Sequence, residues 1–176
     1  MTVSLRPWRA EDIPALARYA DDPRIAANLR DAFPSPYTRA DAQWFVEDCM
    51  ARDENDVLFR AIMADGQMAG SISVVRGADV YRQSGELGYW LAVPFWGQGI
   101  MTAAVEQICR EAFDSLGLVR IFAEVFACNT ASRRVLEKAG FQLEGILQKS
   151  VTKNGQLYDS CLYGLVRQRG EEGRET

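Results

Sequence analysis

The stretch at residues 85–105 constrains the fold more than any other part of the chain. Residues 86–93 are rich in aromatic and branched side chains and predict a β-strand, which should end at Pro94 because proline has no N–H for a ladder. Residues 96–102 read Trp-Gly-Gln-Gly-Ile-Met-Thr and lead into a predicted helix. A glycine-bearing turn that opens a helix gathers unpaired N–H groups and favours negative charge. The pattern therefore predicts a phosphate-binding turn, or alternatively a plain turn whose glycines supply positive φ.

Two common phosphate-binding motifs are excluded by spacing. The chain has no Gly-x-x-x-x-Gly-Lys-Ser/Thr sequence, which rules out a P-loop. The spacing Gly97-x-Gly99-x-x-Thr102 lacks the third small residue of a dinucleotide fingerprint. The identity of the phosphate ligand therefore has to come from the rest of the chain.

Composition restricts the chemistry that is available. With 176 residues, 48% of them hydrophobic, the chain has the length of one globular domain. It contains no histidine, which excludes Ser-His-Asp and Cys-His mechanisms and most zinc sites. Four scattered cysteines without a Cys-x-x-Cys pair favour reduced, mostly buried thiols over a metal site.

Charge and hydropathy indicate which partners to expect. The net charge of −4 makes nucleic acid a poor candidate partner. No apolar run approaches the length of a membrane span, and the first residues show no apolar signal core. We therefore expect a cytoplasmic protein with no membrane partner and a cationic substrate. A homodimer is possible.

Periodicity along the chain predicts the element order βααββ, then strand–loop–helix, strand–helix and two final strands. A helix should begin after the N-cap Thr38, which has Asp41 three residues on, and Asp65-Gly66 and Asn154-Gly155 should form hairpin turns. Gly140 should follow the last helix. Residues 1–166 should form a single domain, and the charged residues 167–176 a frayed tail.

A second motif lies at residues 129–141, which read Asn-Thr-Ala-Ser-Arg-Arg-Val-Leu-Glu-Lys-Ala-Gly-Phe. Together with Gln98-Gly99 at the opening of a helix, this motif and the element order resemble the GNAT N-acetyltransferases over essentially the whole chain. The sequence of residues 96–102 is most similar to that of the RimJ/RimL-like branch of the family. The resemblance implies an α/β (α+β) fold: a mixed, mostly antiparallel sheet of about seven strands, helices on both faces, and a V-shaped splay between the fourth and fifth strands.

The resemblance implies acetyl-CoA as cofactor. Its pantetheine arm should pair with the main chain of Leu91, Ala92 and Val93, beside unpaired strand edges. A backbone N–H near Leu91 should polarise the thioester carbonyl. The pyrophosphate should be held by backbone amides of the turn, contributed by Gly97, Gln98, Gly99, Ile100, Met101 and Thr102.

The second motif carries two further expectations. The resemblance implies that Asn129 binds the pantetheine or substrate side of the cleft and that Ser132 lies near the coenzyme sulfur, where it could protonate the leaving thiolate. Asn129 also stands where the helix should begin, so an N-cap is an equally good reading, and the two roles are compatible. Ser132 could simply bond back to that cap.

Glu86 is the leading candidate for the base that takes the proton of the acceptor amine. It lies on the strand that leads to the acetyl site and should share a face with Gly88 and Trp90. The alternative is that Glu86 pairs with a neighbouring arginine or acts through water. Tyr158 and Asp159 are further candidates.

Acceptor specificity should reside in residues 28–37 and in the turn around Asn154. Phe33, Tyr37 and Trp90 could form an aromatic wall, or could simply pack in the core. The resemblance implies an N-terminal amine of a protein or peptide as acceptor, as in RimJ/RimL-like enzymes. Polyamines, aminoglycosides or amino acids are the alternative, and a coenzyme-binding sensor without turnover is the alternative of another class.

Three positions depart from the family pattern. Met101 stands where glycine or alanine is usual, so its side chain must point away from the phosphates. Ala103 replaces a common glutamate, and Trp96 replaces arginine or glutamine. None of these changes removes a backbone donor.

Overall fold

The computed structural model describes residues 1–168 and contains one seven-stranded sheet. Its order is β1-β2-β3-β4-β5-β7-β6, and every neighbouring pair is antiparallel except β4 and β5. The strands are β1 (Val3–Arg6), β2 (Val57–Ala64), β3 (Gln67–Arg76), β4 (Ser84–Leu91), β5 (Arg120–Phe126), β6 (Gln142–Lys153) and β7 (Gln156–Val166). The predicted fold class is confirmed.

Five α-helices flank the sheet: α1 (Ile13–Ala20), α2 (Pro23–Ala26), α3 (Arg39–Ala51), α4 (Ile100–Ser115) and α5 (Thr130–Lys138). Short 3₁₀ turns lie before α1 (Ala10–Asp12), between β3 and β4 (Asp79–Tyr81) and before α4 (Val93–Phe95). None of the helices in residues 1–168 has the length and apolar content needed to cross a bilayer.

Local sequence signals account for several of these elements. The side chain of Thr38 accepts a hydrogen bond from the Asp41 N–H, and the Asp41 carboxylate accepts one from the Thr38 N–H, so the predicted capping box starts α3. In the β2–β3 hairpin, Asp65 and Gly66 both have positive φ, as a two-residue type I′ turn requires. Gly140, with φ of +89°, follows α5 as predicted.

Two apolar clusters lie on opposite faces of the sheet. The larger includes Leu87 of β4 and packs under α4 and α5, with Tyr89 and Leu91 at its border. The smaller packs under α1 and α3, with Trp90 at its border. Alternation along β4 therefore puts Trp90 on the face opposite to Tyr89, as the sequence predicted.

The sheet opens between β4 and β5. Their parallel register starts at Ser84 opposite Arg120 and ends at Glu86 opposite Phe122, so the second halves of both strands are unpaired with each other. Leu87–Leu91 on one side and residues 123–126 on the other diverge from this point. The predicted splay is confirmed and creates the gap on which the functional site is built.

The structure corrects the end of one strand and adds one short helix. The central strand ends at Leu91, not at residue 93, because Val93–Phe95 forms a 3₁₀ turn. Residues 22–38 contain the short helix α2, whose N-cap Asp22 accepts a hydrogen bond from the Arg24 N–H. The guanidinium of Arg167, in the predicted tail, donates to the Phe113 carbonyl oxygen at 2.8 Å. The prediction of fraying for residues 169–176 lies outside the described residues.

Candidate functional site

The turn before α4 presents unpaired backbone donors. Gly97 and Gly99 have φ of +72° and +76°, and Gly99 is the N-cap of α4 but has no side chain to cap it. The first intrahelical bond comes from the Ala103 N–H to the Gly99 carbonyl oxygen. The N–H groups of Ile100, Met101 and Thr102 therefore have no acceptor within the helix and can bind an anion.

The surroundings of this turn leave room for a phosphate. A Cβ added at Gly97 or Gly99 would meet no atom within 4 Å. The Met101 side chain is buried in the core under α4, as predicted for a bulky residue at this position. Gln98 donates its side-chain amide to the Pro94 carbonyl oxygen at 3.0 Å, which braces the turn.

Trp96 closes the turn onto the end of β4. Its indole N–H donates to the Leu91 carbonyl oxygen at 2.7 Å, and its backbone N–H donates to the Val93 carbonyl oxygen. The carbonyl oxygens of Leu91, at the strand end, and of Val93, in the following 3₁₀ turn, are therefore both occupied by Trp96. This contact could not be found from sequence, because the usual arginine or glutamine gives no precedent for an indole donor at this position.

Main-chain donors of β4 line the gap. The Ala92 N–H donates to the Ala69 carbonyl oxygen of β3, and since backbone groups alternate in direction along a strand, those of Tyr89 and Leu91 point toward β5. Because β4 and β5 no longer pair there, the Leu91 N–H faces the gap. This is the geometry expected for a carbonyl-polarising donor.

Ala92 is removed from the predicted set of coenzyme-binding residues. Its N–H is bonded to Ala69, its carbonyl oxygen accepts from the Phe95 N–H, and its side chain is 0% exposed. Both main-chain groups of Ala92 are engaged within the protein, because backbone direction alternates along the strand and the Ala92 N–H faces β3. Val93 keeps only its N–H for a ligand, since Trp96 occupies its carbonyl oxygen.

A large cavity of about 1100 Å³ extends through the gap and under residues 28–37. It reaches the turn before α4 at Trp96, Gly97 and Met101, and it passes Asn129 and Ser132 at the start of α5. The cavity thus joins the two motifs that the sequence predicted to form one site.

Asn129 caps α5. Its side-chain oxygen accepts a hydrogen bond from the Ser132 N–H at 3.2 Å, so the capping role is realised. The NH₂ group of the same amide has no part in this bond. Asn129 can therefore cap the helix and still present a donor to a ligand in the cavity, so its two predicted roles are compatible.

The Ser132 hydroxyl lies 2.7 Å from the hydroxyl of Tyr89. Burial raises the pKa of Tyr89 to about 12, so the phenol stays protonated at neutral pH and can donate to Ser132 Oγ. The Ser132 proton is then free to point into the cavity. Tyr89 was missed in the sequence analysis because alternation places it on the core face of β4, where an aromatic residue needs no functional explanation.

Glu86 forms an ion pair with Arg30, and its side chain is partly exposed to the cavity. This is the arrangement of the alternative reading, in which Glu86 pairs with an arginine. Gly88, the next residue on the same face, also lines the cavity and leaves space between Glu86 and Trp90. One carboxylate oxygen of Glu86 is occupied by Arg30, and its role as a base stays a prediction.

The aromatic residues predicted for the acceptor side are in contact. The Phe33 ring lies 5.0 Å from that of Tyr37 and 5.9 Å from that of Trp90, centroid to centroid. All three line the cavity, and they also pack on the cluster under α1 and α3. They therefore serve both as a wall and as part of the core.

Two other candidates are placed away from the cavity. Tyr158 stacks on Phe126 and donates to the Gln156 side chain, and neither Tyr158 nor Asp159 lines the cavity. Asp159 instead accepts a hydrogen bond from the Lys149 N–H. Glu124 of β5, which the sequence analysis did not single out, does line the cavity and accepts a hydrogen bond from the buried Ser160 at 2.7 Å.

Comparison with known proteins places this geometry in a family. The Acetyltransferase (GNAT) domain profile matches residues 2–142. The chain is 30% identical over 171 residues to the SPbeta prophage-derived uncharacterized N-acetyltransferase YokL of Bacillus subtilis, covering 96% of this chain and 92% of YokL. It is 30% identical over 105 residues to the ribosomal-protein-serine acetyltransferase of Escherichia coli, covering 60% of this chain and 58% of that enzyme.

Solved structures show the same likeness. RimJ of Mycobacterium smegmatis, in complex with CoA-disulfide, superposes with a TM-score of 0.84 at 28% identity, covering 93% of this chain and 81% of RimJ.

Matches to several other curated N-acetyltransferases span only 58% to 60% of those proteins. The profile match over most of the chain, the full-length match to YokL and the shared fold show that this chain belongs to the GNAT acetyltransferase family.

Proposed function

We propose that the protein transfers the acetyl group of acetyl-CoA to the amine at the N-terminus of a protein or peptide. The observation that carries the proposal is the continuous cavity, which joins the unpaired donors of the turn before α4 to an open space walled by Phe33, Tyr37 and Trp90. A ribosomal-protein acetyltransferase among the relatives supports a peptide acceptor. The cytoplasm is the proposed location, in keeping with four free cysteines in the described residues.

The chain offers donors for the pyrophosphate and for the pantetheine arm of the coenzyme. The amides of residues 97–102 bind the pyrophosphate, aided by the positive end of α4. The Val93 N–H and the amide of Asn129 bind the amide-rich arm that fills the gap. When bound, acetyl-CoA supplies the acetyl group as a thioester.

The groups around the gap have distinct tasks in the transfer. The Leu91 N–H stabilises negative charge on the carbonyl oxygen. The acceptor's nitrogen forms the new bond to the acetyl carbon as the carbon–sulfur bond breaks. Ser132 gives its proton to the sulfur while its oxygen takes the phenolic proton of Tyr89, and a carboxylate that lines the cavity takes the proton from the nitrogen.

Mass spectrometry of the acceptor tests this function directly. Incubation with acetyl-CoA should acetylate a peptide that starts with serine or alanine at its N-terminal amine and leave the same peptide unchanged when that amine is blocked. Acetylation of spermidine or an aminoglycoside, with no acetylation of the peptides, would favour the small-molecule alternative.

Glu86→Gln should lower kcat and flatten the pH profile if Glu86 is the base, because glutamine cannot take a proton. Arg30→Met should be compared with Glu86→Gln, since it removes the ion pair but keeps the Glu86 carboxylate. A base role predicts that kcat of Arg30→Met still depends on pH, because the carboxylate that takes the proton is kept. Steady-state kinetics at several pH values measure both variants.

A matched control for this pair is Glu47→Gln, an exposed position on α3 that does not line the cavity. It should leave kcat and KM as in the wild type. If Glu86→Gln behaves like this control, Glu86 is not the base. If Glu86→Gln and Arg30→Met change only the acceptor KM and do so equally, Glu86 acts by holding Arg30.

A further inference from the structure

The cavity carries opposite charges at its two ends. Glu86 and Glu124 lie near the gap, on strands β4 and β5. Lys153 lies at the end of β6, beneath residues 28–37, and lines the same cavity. A ligand that spans this space therefore meets carboxylates at one end and an ammonium group at the other.

Glu124 offers the less occupied of the two carboxylates. Its Oε1 accepts a hydrogen bond from Ser160, and Ser160 lies 2.6 Å from the Ser150 hydroxyl. Within residues 1–168 Glu124 has no ion-pair partner, whereas Glu86 is paired with Arg30. A cationic amine that enters the gap can therefore bind Glu124 without displacing another cation.

Lys153 is a buried cation with an exposed partner. Its side chain is only 10% exposed, and its Nζ donates to Asp31 Oδ1 at 2.8 Å, yet the Asp31 side chain is 80% exposed. A buried ammonium is costly without a counter-charge, so Lys153 needs an anion close to it. Asp31 loses little by moving into water, because exposed carboxylates form weak pairs. An anion on a ligand can therefore take the place of Asp31.

The spacing between the two ends fits a short peptide. Ser160, the partner of Glu124, and Gln156, the register partner of Lys153, are both on β7. Four residues of a strand span roughly 13 Å. Since an extended peptide covers about 3.3–3.6 Å per residue, an N-terminal amine at Glu124 places the third to fifth residue near Lys153.

We propose that Lys153 is a specificity subsite for an acidic side chain at the third to fifth position of the acceptor peptide. The amine lies at the carboxylate end of the cavity, and the acidic side chain displaces Asp31 from Lys153. This inference rests on the proposed peptide acceptor. It disfavours polyamines, which have no anionic group to replace Asp31 and place a second cation near Lys153.

A pair of peptides and two substitutions test the subsite. The peptides are Ser-Ala-Ala-Asp-Ala-Ala and its analogue with asparagine in place of aspartate. The wild type should prefer the aspartate peptide by roughly tenfold or more in kcat/KM, through KM, because the asparagine peptide leaves Lys153 without a new anion. Lys153→Met should bring the two peptides to the same kcat/KM. Asp31→Asn should increase the preference, because it removes the internal competitor.

In an alternative role, the Asp31–Lys153 ion pair is a latch that only holds residues 28–37 against the β6–β7 hairpin. The direction in which Asp31→Asn changes the peptide preference distinguishes the subsite from this latch. A latch predicts that Asp31→Asn and Lys153→Met lower kcat/KM alike and equally for both peptides, and that result would overturn the proposal. The control is Lys138→Met, which removes a lysine at the exposed end of α5. This variant should keep the wild-type preference for the aspartate peptide. Thermal unfolding of each variant reports whether it is folded.

Binding gives a readout that does not depend on turnover. Tryptophan fluorescence can follow each peptide as it binds the enzyme saturated with CoA, because Trp90 lines the cavity. The same preference for the aspartate peptide, abolished by Lys153→Met, is expected. If neither peptide is acetylated but the preference in binding persists, the proposed function fails and the subsite stands. Equal binding of the two peptides to the wild type overturns the subsite.

Discussion

Gly99→Ala should weaken acetyl-CoA binding at least tenfold, which corresponds to about 1.4 kcal/mol. Gly99 has φ of +76° at the N-cap of α4, a conformation that costs an L-residue about 1–2 kcal/mol. Alanine favours a change in this backbone angle, which redirects the N–H groups of residues 100–102. Its methyl group also enters the open space above the turn. Isothermal titration calorimetry with acetyl-CoA measures the effect.

The chain provides a matched control for this substitution. Gly66 in the β2–β3 hairpin has φ of +81°, and a Cβ there also meets no atom within 4 Å. Gly66→Ala should therefore cost similar stability in thermal unfolding yet leave acetyl-CoA affinity unchanged. Wild-type affinity in Gly99→Ala would show that the turn does not hold the pyrophosphate.

Ser132→Ala should reduce kcat about a hundredfold, within the range for loss of a general acid, and leave the KM for acetyl-CoA nearly unchanged. The serine hydroxyl is the group proposed to deliver a proton to the sulfur, and the Asn129 cap is kept because it uses the Ser132 backbone N–H. Tyr89→Phe should reduce kcat less, since the Ser132 hydroxyl remains but loses the donor that orients it. Stopped-flow thiol release at saturating substrates measures kcat for both variants.

The control for these variants is Ser115→Ala, at the exposed end of α4, where the serine hydroxyl donates only to the Glu111 carbonyl oxygen. It should have wild-type kcat. The assignment of the acid would be contradicted if Ser132→Ala retained full activity. Greater loss in Tyr89→Phe than in Ser132→Ala would instead make Tyr89 the proton donor.

Sequence analysis predicted the elements whose signals are local. The Thr38 capping box, the Asp65-Gly66 turn and the glycine after α5 each depend on residues a few positions apart, and all are present. The helix α2 was missed although Asp22-Pro23 carries a local signal, an N-cap followed by proline at the first helical position. The strand was drawn two residues too long because nothing in residues 92–93 indicates the 3₁₀ turn.

The site was predictable only where its chemistry lies in the backbone or in a motif. The donors of the turn follow from glycines and a helix start, but the pairs Arg30–Glu86 and Asp31–Lys153 join residues 56 and 122 positions apart. Such contacts depend on how the loop before α3 crosses the sheet, which no local pattern specifies. The Tyr89–Ser132 bond, 43 positions apart, was missed for the same reason.

Thiol release from acetyl-CoA shows directly whether this cavity transfers an acetyl group to an amine. The panel contains peptides that start with serine and alanine, spermidine, an aminoglycoside and free amino acids. A blank without acceptor corrects for protein thiols, including the exposed Cys128. We predict release with the peptides. No release with any amine, from a protein that binds acetyl-CoA tightly, would contradict the account and indicate a coenzyme-binding module without turnover.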